Sequence, residues 1–424
     1  MSTIERWEER IAEAKSYAID QGMIYQAWLR VKANGGAPGV DGQSIENFER
    51  KLDDNLYKLW NRMSSGSYIP KPVRLCPIPK KDGGTRVLGI PTVTDRISQM
   101  VGVLYMEPKI DPKFHIDSYG YRPGKSAHDA VGMARQRCWR YNWVIDLDIK
   151  GYFDTIDHRL LSKAVQRHVK EKWLLLYIER WLTAPGVKET GELVERRCGT
   201  PQGGVISPLL ANLFLHYVFD LWMRQEFETV PFERYADDII VHCKSKKQAY
   251  YVLEAIRRRL ANCGLTVHPQ KTKIVYCKDG QRPDDYDHTS FTFLGYQFRA
   301  RLAHNSQTGQ FFVGFTPAVS PQAKQAMRNA IHSWRLTSCT PMSLEEVAAQ
   351  INPVVRGWIN YYGRYCRSGL SPVLRQVEMA LTGWVMRKFK KLHRRRVESF
   401  RWLARVRKTS PTLFAHWAAA KVNG

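Results

Sequence analysis

Residues 143–149 of the chain read WVIDLDI, a hydrophobic strand pattern that contains two carboxylates. Alternation with a period of two places Ile145 and Leu147 on one face of a strand and Asp146 and Asp148 on the other. The apolar face belongs in a core, whereas neighbouring carboxylates are costly to bury unless they are paired or bind a metal. The stretch therefore predicts a core strand with a polar face, and alone it fits a structural ion pair as well as a metal site.

Residues 234–241, RYADDIIV, place two adjacent acids between two strand-like segments. A hairpin turn at this point would expose Asp237 and Asp238, although aspartate is common in ordinary turns. If Asp148 lies on a neighbouring strand, the three carboxylates form a hard, oxygen-rich site that suits Mg²⁺. Such a site predicts in-line displacement at phosphorus with two metal ions.

Strands and helices are interleaved from residue 126 to residue 316, which predicts an α+β fold. The predicted helices lie near 126–140, from Asp157, from Ser207-Pro208 and over 246–263 up to Gly264. The predicted strands lie at 143–149, 232–243, 273–277, 291–298 and 311–316. After Pro321 the pattern becomes helical, which predicts a domain boundary near 305–320.

The N-terminal part contains two turn-rich segments. Residues 1–60 read as polar helices that begin at a capping box from Ser2 to Glu5 and are broken by the loop 34–42. That loop is a functional lid or an ordinary connection. Residues 68–92 predict a hairpin of short edge strands around a turn at 80–84.

The charge of the chain indicates a polyanionic partner. The 424 residues carry a net charge of +25, which favours a nucleic acid over a merely soluble basic protein. Residues 301–424 hold 20 Lys and Arg against 4 Asp and Glu. Residues 387–396 include seven Lys and Arg residues, a pattern that predicts a helix with one basic face. That face binds nucleic acid or is simply solvated. The seven residues are Arg387, Lys388, Lys390, Lys391, Arg394, Arg395 and Arg396.

Cysteine usage and hydropathy indicate a cytoplasmic protein with no membrane partner. The eight cysteines show no C-x-x-C spacing and suit reduced thiols. The N-terminus lacks the basic and apolar regions of a signal peptide, and no apolar run is long enough to span a bilayer.

The succession of motifs resembles reverse transcriptases, and specifically the proteins encoded by bacterial group II introns. The likeness rests on GGAPGVDG (35–42), IPKKDGGTRVLGIPTVTDRISQ (78–99), SYGYRPGKSAHDA (118–130), DIKGYFDTIDH (148–158), GTPQGGVISPLLANLFLH (199–216), RYADDIIV (234–241), GLTVHPQKTKI (264–274), FLGYQF (293–298) and RGWINYYGRY (356–365). It implies a right-hand polymerase of fingers and palm, followed by an α-helical thumb or maturase domain. The implied parts are an N-terminal extension with a template-side lid loop (1–60), fingers and palm (61–304), the thumb or maturase-specific domain (305–396) and a small DNA-binding extension (397–424).

The resemblance also implies roles for individual residues. Asp148, Asp237 and Asp238 match the catalytic carboxylates, which would bind two Mg²⁺ ions with help from the Ile149 carbonyl. The implied nucleotide contacts are Lys80, Arg86, Phe153, Gln202 and Lys271.

Some of these implied roles have competing explanations. Phe153 matches the aromatic steric gate that crowds a ribose 2′-hydroxyl, but a core aromatic would look the same. Lys271 is the candidate for the leaving pyrophosphate, with Lys273 close by. Leu294 and Gly295 match the primer grip, although an ordinary core strand fits nearly as well. The aromatic residues of the helical region are base-stacking platforms or core; they are Trp334, Trp358, Tyr361, Tyr362 and Trp384.

The implied function is an RNA-directed DNA polymerase of a group II intron that makes cDNA for intron mobility and assists splicing as a maturase. Its partners would be intron RNA, an RNA template, a DNA primer or target and dNTPs, while the oligomeric state is left open. Residues 301–424 contain no Asp and lack paired Cys and His ligands, so neither RNase H nor an endonuclease is expected. The alternatives are a relative recruited to host defence and an RNA-folding splicing cofactor without polymerase activity.

Overall fold

A computed structural model of the chain describes residues 16–79, 84–304 and 308–420. The predicted capping box at Ser2–Glu5 and the predicted triphosphate contact Lys80 lie outside these residues. The chain forms two compact units. Unit 1 contains the described parts of Met1–Ser126, Leu147–Val241 and Lys247–Thr272, and unit 2 those of Ala127–Asp146, His242–Lys246 and Lys273–Gly424.

The helices and strands follow the predicted alternation. Before residue 270 the helices are α1 (Gln21–Asn34), α2 (Ile45–Glu49), α3 (Leu52–Ser64), α4 (Val93–Ile110), α5 (Ala127–Cys138), α6 (Tyr152–Thr155), α7 (His158–Gln166), α8 (Lys172–Thr183), α9 (Ser207–Leu215), α10 (Leu221–Glu226) and α11 (Lys246–Asn262). After residue 320 they are α12 (Pro321–Ser333), α13 (Leu344–Tyr362), α14 (Ser371–Lys388), α15 (Arg396–Thr409) and α16 (Ala415–Ala420). The strands are β1 (Val73–Pro79), β2 (Thr85–Ile90), β3 (Trp143–Asp148), β4 (Gly186–Val187), β5 (Leu193–Val194), β6 (Phe232–Tyr235), β7 (Asp238–Cys243), β8 (Lys273–Tyr276), β9 (Ser290–Phe293), β10 (Tyr296–His304) and β11 (Phe311–Val319). The prediction of an α+β fold with a helical C-terminal region is confirmed.

Unit 1 contains a sheet of order β2–β1–β4–β5. Its first two strands form the predicted antiparallel hairpin, which runs from Arg74↔Ile90 to Pro79↔Thr85. β1 is an inner strand of this order, but β4 pairs only with its first two residues, Val73 and Arg74. The two prolines of β1 therefore lie beyond the β4 pairing, where a missing N–H costs no inter-strand bond.

Helix α4 anchors the turn-rich loop 34–42 to unit 1. The Arg96 guanidinium donates to the Gly35 and Ala37 carbonyls, at 3.1 and 2.7 Å. From β1, Arg74 donates to the Pro38 carbonyl at 2.7 Å. The backbone of this predicted lid loop is thus held by two buried or half-buried arginines.

Unit 2 contains residues 143–146 of β3, which pair with β8, and a three-stranded sheet of order β11–β10–β9. β3 and β8 are antiparallel, with Trp143 opposite Tyr276 and Asp146 opposite Lys273. Ile145 and Leu147 of β3 are fully buried, which confirms the predicted apolar face as core. No helix in the described ranges is long and apolar enough to span a membrane.

The C-terminal helices of unit 2 surround one apolar core. Val355 of α13 and Val377 of α14 are fully buried there, together with Leu403 of α15 and Trp417 of α16. Residues after 396 therefore share this core, whereas DNA binding by them stays a prediction. Of the candidate stacking aromatics, Trp384 is buried in the core, and Trp334 stacks on Trp358 at 5.7 Å beside it. These contacts favour the core interpretation for the three tryptophans.

The basic residues at 387–396 do not form one helix face, so that prediction is wrong. Helix α14 ends at Lys388 because Phe389 adopts an extended backbone, and α15 begins only at Arg396. The Lys388 ammonium donates to the carbonyls of Thr340, Pro341 and Met342 at 2.8–3.3 Å, which gives it an internal structural role. The other six cations are exposed: Arg387, Lys390, Lys391, Arg394, Arg395 and Arg396.

Candidate active site

Asp148 and Asp237 line the same cleft of unit 1, whose volume is about 840 Å³. Asp148 ends β3, and Asp237 lies in the two-residue turn between β6 and β7. The other lining residues are Thr85, Arg86, Val87, Tyr121, Ile149, Lys150, Gly151, Tyr152, Phe153, Asp154, Gln202, His268 and Lys271. Motifs far apart in the sequence are therefore brought together around two carboxylates.

The turn that carries Asp237 has an unusual backbone. Tyr235 pairs with Asp238, so Ala236 and Asp237 alone form the turn. Ala236 has φ of +57°, in the left-handed region that residues with a Cβ rarely adopt. Strain of this kind persists only where the surroundings hold it in place, and it is frequent at active sites.

Buried Arg234 supplies that support. Its guanidinium donates to the Ala236 carbonyl at 3.2 Å and to both carboxylate oxygens of Asp220 at 2.7 and 2.6 Å. Further bonds reach Asn212 Oδ1 at 2.9 Å and Ser118 Oγ at 2.8 Å. The turn is thus held by a charge pair that has no access to solvent.

Asp237 is in an environment that disfavours its charge. Burial raises the pKa of its carboxyl, and the nearby Asp148 carboxylate raises it further, while Arg86 and Arg234 oppose the rise. Two carboxylates forced into one cleft repel each other, and a divalent cation would relieve that repulsion. Their hard oxygen atoms suit Mg²⁺ or a similar ion. The donor set therefore fits a divalent metal, although the described residues contain no group of three acidic, His or Cys side chains in metal-binding geometry.

Polar side chains on one side of the cleft form a hydrogen-bonded chain. Arg86 Nε donates to Gln202 Oε1, and Gln202 Nε2 donates to both oxygens of Asp154, at 3.1 and 2.9 Å. Arg86 lies on β2, Asp154 on α6 and Gln202 in the glycine-rich loop 199–204. Arg86 and Gln202, both predicted to contact the nucleotide, are therefore hydrogen-bonded to each other.

Two glycines of the loop 199–204, Gly199 and Gly203, lie too close to neighbouring backbone to carry a side chain. Thr200 N donates to the Phe153 carbonyl at 2.7 Å, and Gly89 N donates to the Gln202 carbonyl at 2.8 Å. A Cβ on Gly199 would lie 2.7 Å from the Asp154 backbone, and one on Gly203 would lie 2.6 Å from the Gly89 oxygen. Glycine at these positions permits the contacts that place Gln202 in the cleft.

Lys271 and His268 line the cleft near Asp148. The Lys271 ammonium is 3.8 Å from Asp148 Oδ2, and both side chains are partly exposed. His268 N donates to the Asp148 carbonyl at 2.8 Å, and Thr272 Oγ1 accepts from Asp148 N at 3.3 Å. The segment 268–272 thus fixes the backbone of Asp148 and presents a cation beside its carboxylate.

Other predicted site residues are found elsewhere. Asp238 begins β7 and is absent from the cleft lining, and Lys273 belongs to β8 of unit 2. Leu294 and Gly295 form the turn between β9 and β10, both at positive φ, and the Leu294 carbonyl accepts a bond from Tyr361. The roles of these residues stay predictions.

Sequence reasoning gave no role to Tyr121, Asp154 or His268, which all line the cleft. Tyr121 has a positive φ, and its pKa is raised by burial and then by the Asp237 carboxylate. Each of these residues lies inside one of the motifs that carry the family resemblance, and this position is the signal for a functional role that the sequence offers.

The chain matches two protein families. Residues 78–298, which contain the whole described cleft, match the family described as reverse transcriptase (RNA-dependent DNA polymerase). The chain belongs to the reverse transcriptase family. Residues 324–402 of this reverse transcriptase match the maturase-specific domain of group II introns. The predicted identification as a group II intron reverse transcriptase and maturase is confirmed.

Individual relatives agree with this assignment. Over 298 residues the reverse transcriptase is 33% identical to the protein YkfC of Escherichia coli, covering 61% of its own length and 75% of YkfC. It is 32% identical to the group II intron-encoded protein LtrA of Lactococcus lactis, over 54% of its length and 39% of LtrA. A putative COX1/OXI3 intron 1 protein of Saccharomyces cerevisiae is 26% identical over 65% of the chain and 38% of its own length. The chain thus spans much less than two thirds of the two intron proteins.

These matches define the class of chemistry. By family the enzyme is an RNA-directed DNA polymerase, and its C-terminal region belongs to the maturase-specific type found in group II introns. Reverse transcriptase domains act with divalent metal ions and bind nucleic acid. The alternatives of a host-defence enzyme and of a splicing cofactor without polymerase activity are not favoured.

Proposed function

We propose that the chain copies RNA into DNA from a DNA primer with dNTPs, in a reaction that depends on two Mg²⁺ ions. Asp148 and Asp237 would hold the ions, with Asp238 as the third acid and the Ile149 carbonyl as a further ligand. The convergence of Asp148 and Asp237 in one cleft with Arg86, Gln202 and Lys271 carries this proposal. Bound Mg²⁺ would supply activation of the primer hydroxyl and neutralisation of phosphate charge.

The remaining residues of the cleft would bind and orient the nucleotide. Arg86 and Lys271 present cationic donors that suit triphosphate and pyrophosphate oxygens. Phe153 lines the cleft directly beside Asp154, where its ring would crowd a ribose 2′-hydroxyl. The enzyme would thus select deoxynucleotides by steric exclusion.

The maturase role is proposed for the basic helical region together with the N-terminal segment. Residues 301–424 carry an excess of 16 positive charges, and six exposed cations lie between 387 and 396. Structured RNA is recognised largely by shape and phosphate contacts, which such a surface supplies. LtrA is named as an intron-encoded protein, which supports a comparable place for this chain within an intron, in splicing and in intron mobility.

Primer extension tests the polymerase. Purified protein would be given an RNA template, a DNA primer and Mg²⁺, with dNTPs or NTPs, beside an Asp237→Ala/Asp238→Ala double variant. Extension with dNTPs is expected for the wild type and not for the variant. Folded wild-type protein that binds RNA without extending the primer would contradict the proposal and leave an RNA-folding cofactor.

RNA binding tests the maturase role separately. Replacing Arg394, Arg395 and Arg396 together by Gln should weaken binding of intron RNA and reduce its dependence on salt concentration. Three exposed cations outside the basic segment, Lys244, Lys247 and Arg258, provide the matched control. Equal weakening by both triple variants would show only a general charge effect and would contradict a specific role for the segment.

A further inference from the structure

Asp154 places a negative charge in a cleft that the proposed function assigns to a triphosphate. It lines the cleft next to Phe153 and is exposed. A carboxylate at such a place repels phosphate oxygens, so its presence requires a compensating role. Its contacts indicate what that role is.

The partners of Gln202 determine how its amide group is oriented. An arginine side chain can only donate hydrogen bonds and an ionised carboxylate can only accept them. Because Gln202 lies between Arg86 and Asp154, its oxygen must face Arg86 and its nitrogen must face Asp154. The reversed amide would bring donor against donor and acceptor against acceptor.

Backbone hydrogen bonds join the segment that carries Asp154 to the loop that carries Gln202. The carbonyls of Phe153 and Ile156, on either side of Asp154, accept bonds from Thr200 N and Gly199 N at 2.7 and 2.8 Å. Gln202 lies in the same loop, two residues after Thr200. The backbone segments that carry the carboxylate and the amide are therefore held together by hydrogen bonds that do not involve either side chain.

The charge of Asp154 is also partly balanced. The guanidinium of half-buried Arg196 lies near it, and the carboxylate opposes the decrease that burial causes in the Arg196 pKa. A neighbouring cation lowers the cost of keeping a carboxylate beside a triphosphate site.

We propose that Asp154 is a positioning residue that fixes the amide orientation of Gln202 for recognition of the incoming nucleotide. This inference rests on the proposed polymerase function. Without Asp154 the amide nitrogen loses its acceptor, and Gln202 can rotate away from Arg86. The free energy of ordering Gln202 would then oppose nucleotide binding.

Steady-state extension with varied dNTP concentration tests this role. Asp154→Ala should raise the KM for dNTP about 5- to 10-fold, as expected for loss of one hydrogen-bonded contact. The kcat and the Kd for primer–template should change by less than about 2-fold, since neither reaction chemistry nor duplex binding involves Asp154. Asp285→Ala, which removes a carboxylate that is 88% exposed and lies outside the cleft, is the matched control and should leave all three values unchanged.

A double-mutant cycle separates positioning from a direct charge effect. In a Gln202→Ala background, Asp154→Ala should cause no further rise in KM, because no amide remains to be oriented. A full additional rise in that background would overturn the proposal, as would an unchanged KM in the single variant. Asp154→Asn should be intermediate, since its amide retains one acceptor atom.

Equilibrium binding of a fluorescent dNTP to the protein–primer–template complex distinguishes failure of this inference from failure of the proposed function. Nucleotide binding without extension would contradict the polymerase proposal alone. Equal dNTP Kd values for the wild type and Asp154→Ala would overturn the positioning role, and absence of dNTP binding by the wild type would overturn both.

Discussion

Arg234 contacts both carboxylate oxygens of Asp220, at 2.7 and 2.6 Å, and neither side chain is exposed to solvent. The same guanidinium donates to the Ala236 carbonyl in the turn that carries Asp237. Asp220 is the last residue of a π-helical turn, His216–Asp220, a rare geometry that is frequent at functional sites. The position of a predicted catalytic carboxylate therefore depends on a buried charge pair.

Asp220→Asn should destabilise the protein by about 3 kcal/mol, because it leaves the buried Arg234 charge unpaired. The midpoint of urea unfolding measures this loss. Asp117→Asn, at another buried carboxylate that accepts a hydrogen bond from the Tyr119 hydroxyl, is a suitable comparison. A loss no larger than that of the comparison variant would show that the pair is not important for stability.

Replacing both partners should separate stability from activity. Arg234→Met with Asp220→Leu leaves no unpaired charge, so it should be more stable than Asp220→Asn. The Ala236 carbonyl still loses its donor, and displacement of Asp237 should lower kcat for RNA-templated extension on the order of 10- to 100-fold. Wild-type kcat in the double variant would rule out a positioning role for Arg234.

Phe153→Val should admit ribonucleotides, because a smaller side chain leaves room for the 2′-hydroxyl. The ratio of kcat/KM for dNTP to that for NTP should fall roughly 10-fold or more, mainly through improved use of NTP. Single-nucleotide extension with each substrate gives the two values. Tyr152→Phe, which removes only a buried hydroxyl that donates to the Ala211 carbonyl, should leave the ratio unchanged. If the preference for dNTP over NTP were unchanged in Phe153→Val, Phe153 would be a core residue with no role in sugar selection.

His216 should make stability depend on pH. Burial lowers its pKa from 6.5 to about 4, with Asp220 only partly opposing the shift. Between pH 4 and 6.5 the folded protein therefore binds fewer protons at His216 than the unfolded chain does. The contribution of neutral His216 to the free energy of unfolding is complete above pH 6.5 and is lost as the pH falls towards 4. The loss should approach about 3 kcal/mol.

Unfolding in urea at a series of pH values between 4.5 and 7.5 measures this dependence. His216→Phe keeps an aromatic ring beside Phe114 and should flatten the curve. His332→Gln removes an exposed imidazole and should leave the curve unchanged. Equal curves for the wild type and His216→Phe would assign the pH dependence to other groups.

The C-terminal helices should be essential for the stability of unit 2. Trp417 is fully buried, and its indole donates to Glu378 Oε2 at 2.8 Å. Trp417→Ala should cost about 3–5 kcal/mol, whereas Phe400→Ala, at an exposed position on α15, should cost far less. Proteolysis within residues 321–420 would report the change. Similar resistance of both variants would indicate that residues after 396 are dispensable.

Much of the fold was predictable because local rules and the tertiary environment agree. The alternating pattern of β3 defined its buried face, Asp157 caps α7 through Leu160 N at 2.7 Å, and Gly264 ends α11 with φ of +76°. The charge pattern of residues 387–396 wrongly predicts one basic helix face, because it does not reveal that Lys388 donates to three carbonyls of a distant turn.

The candidate site was predictable to a smaller extent. Asp148 and Asp237 stand out because carboxylates beside apolar strands are unusual, and the structure brings both into the cleft. Asp154 and Arg234 were missed because their importance comes from partners distant in sequence, Gln202 and Asp220. Only the folded structure reveals such pairs.

The discontinuity of unit 2 has a consequence for biosynthesis. Trp143 pairs with Tyr276, and the Trp139 indole donates to the Phe315 carbonyl, so early parts of this unit acquire their partners only late in translation. Chains still on the ribosome would expose α5 and the start of β3 without their apolar neighbours, and exposed strands of this kind favour aggregation. Expression at low temperature, which weakens hydrophobic association, or co-expression of chaperones should therefore increase the yield of soluble enzyme.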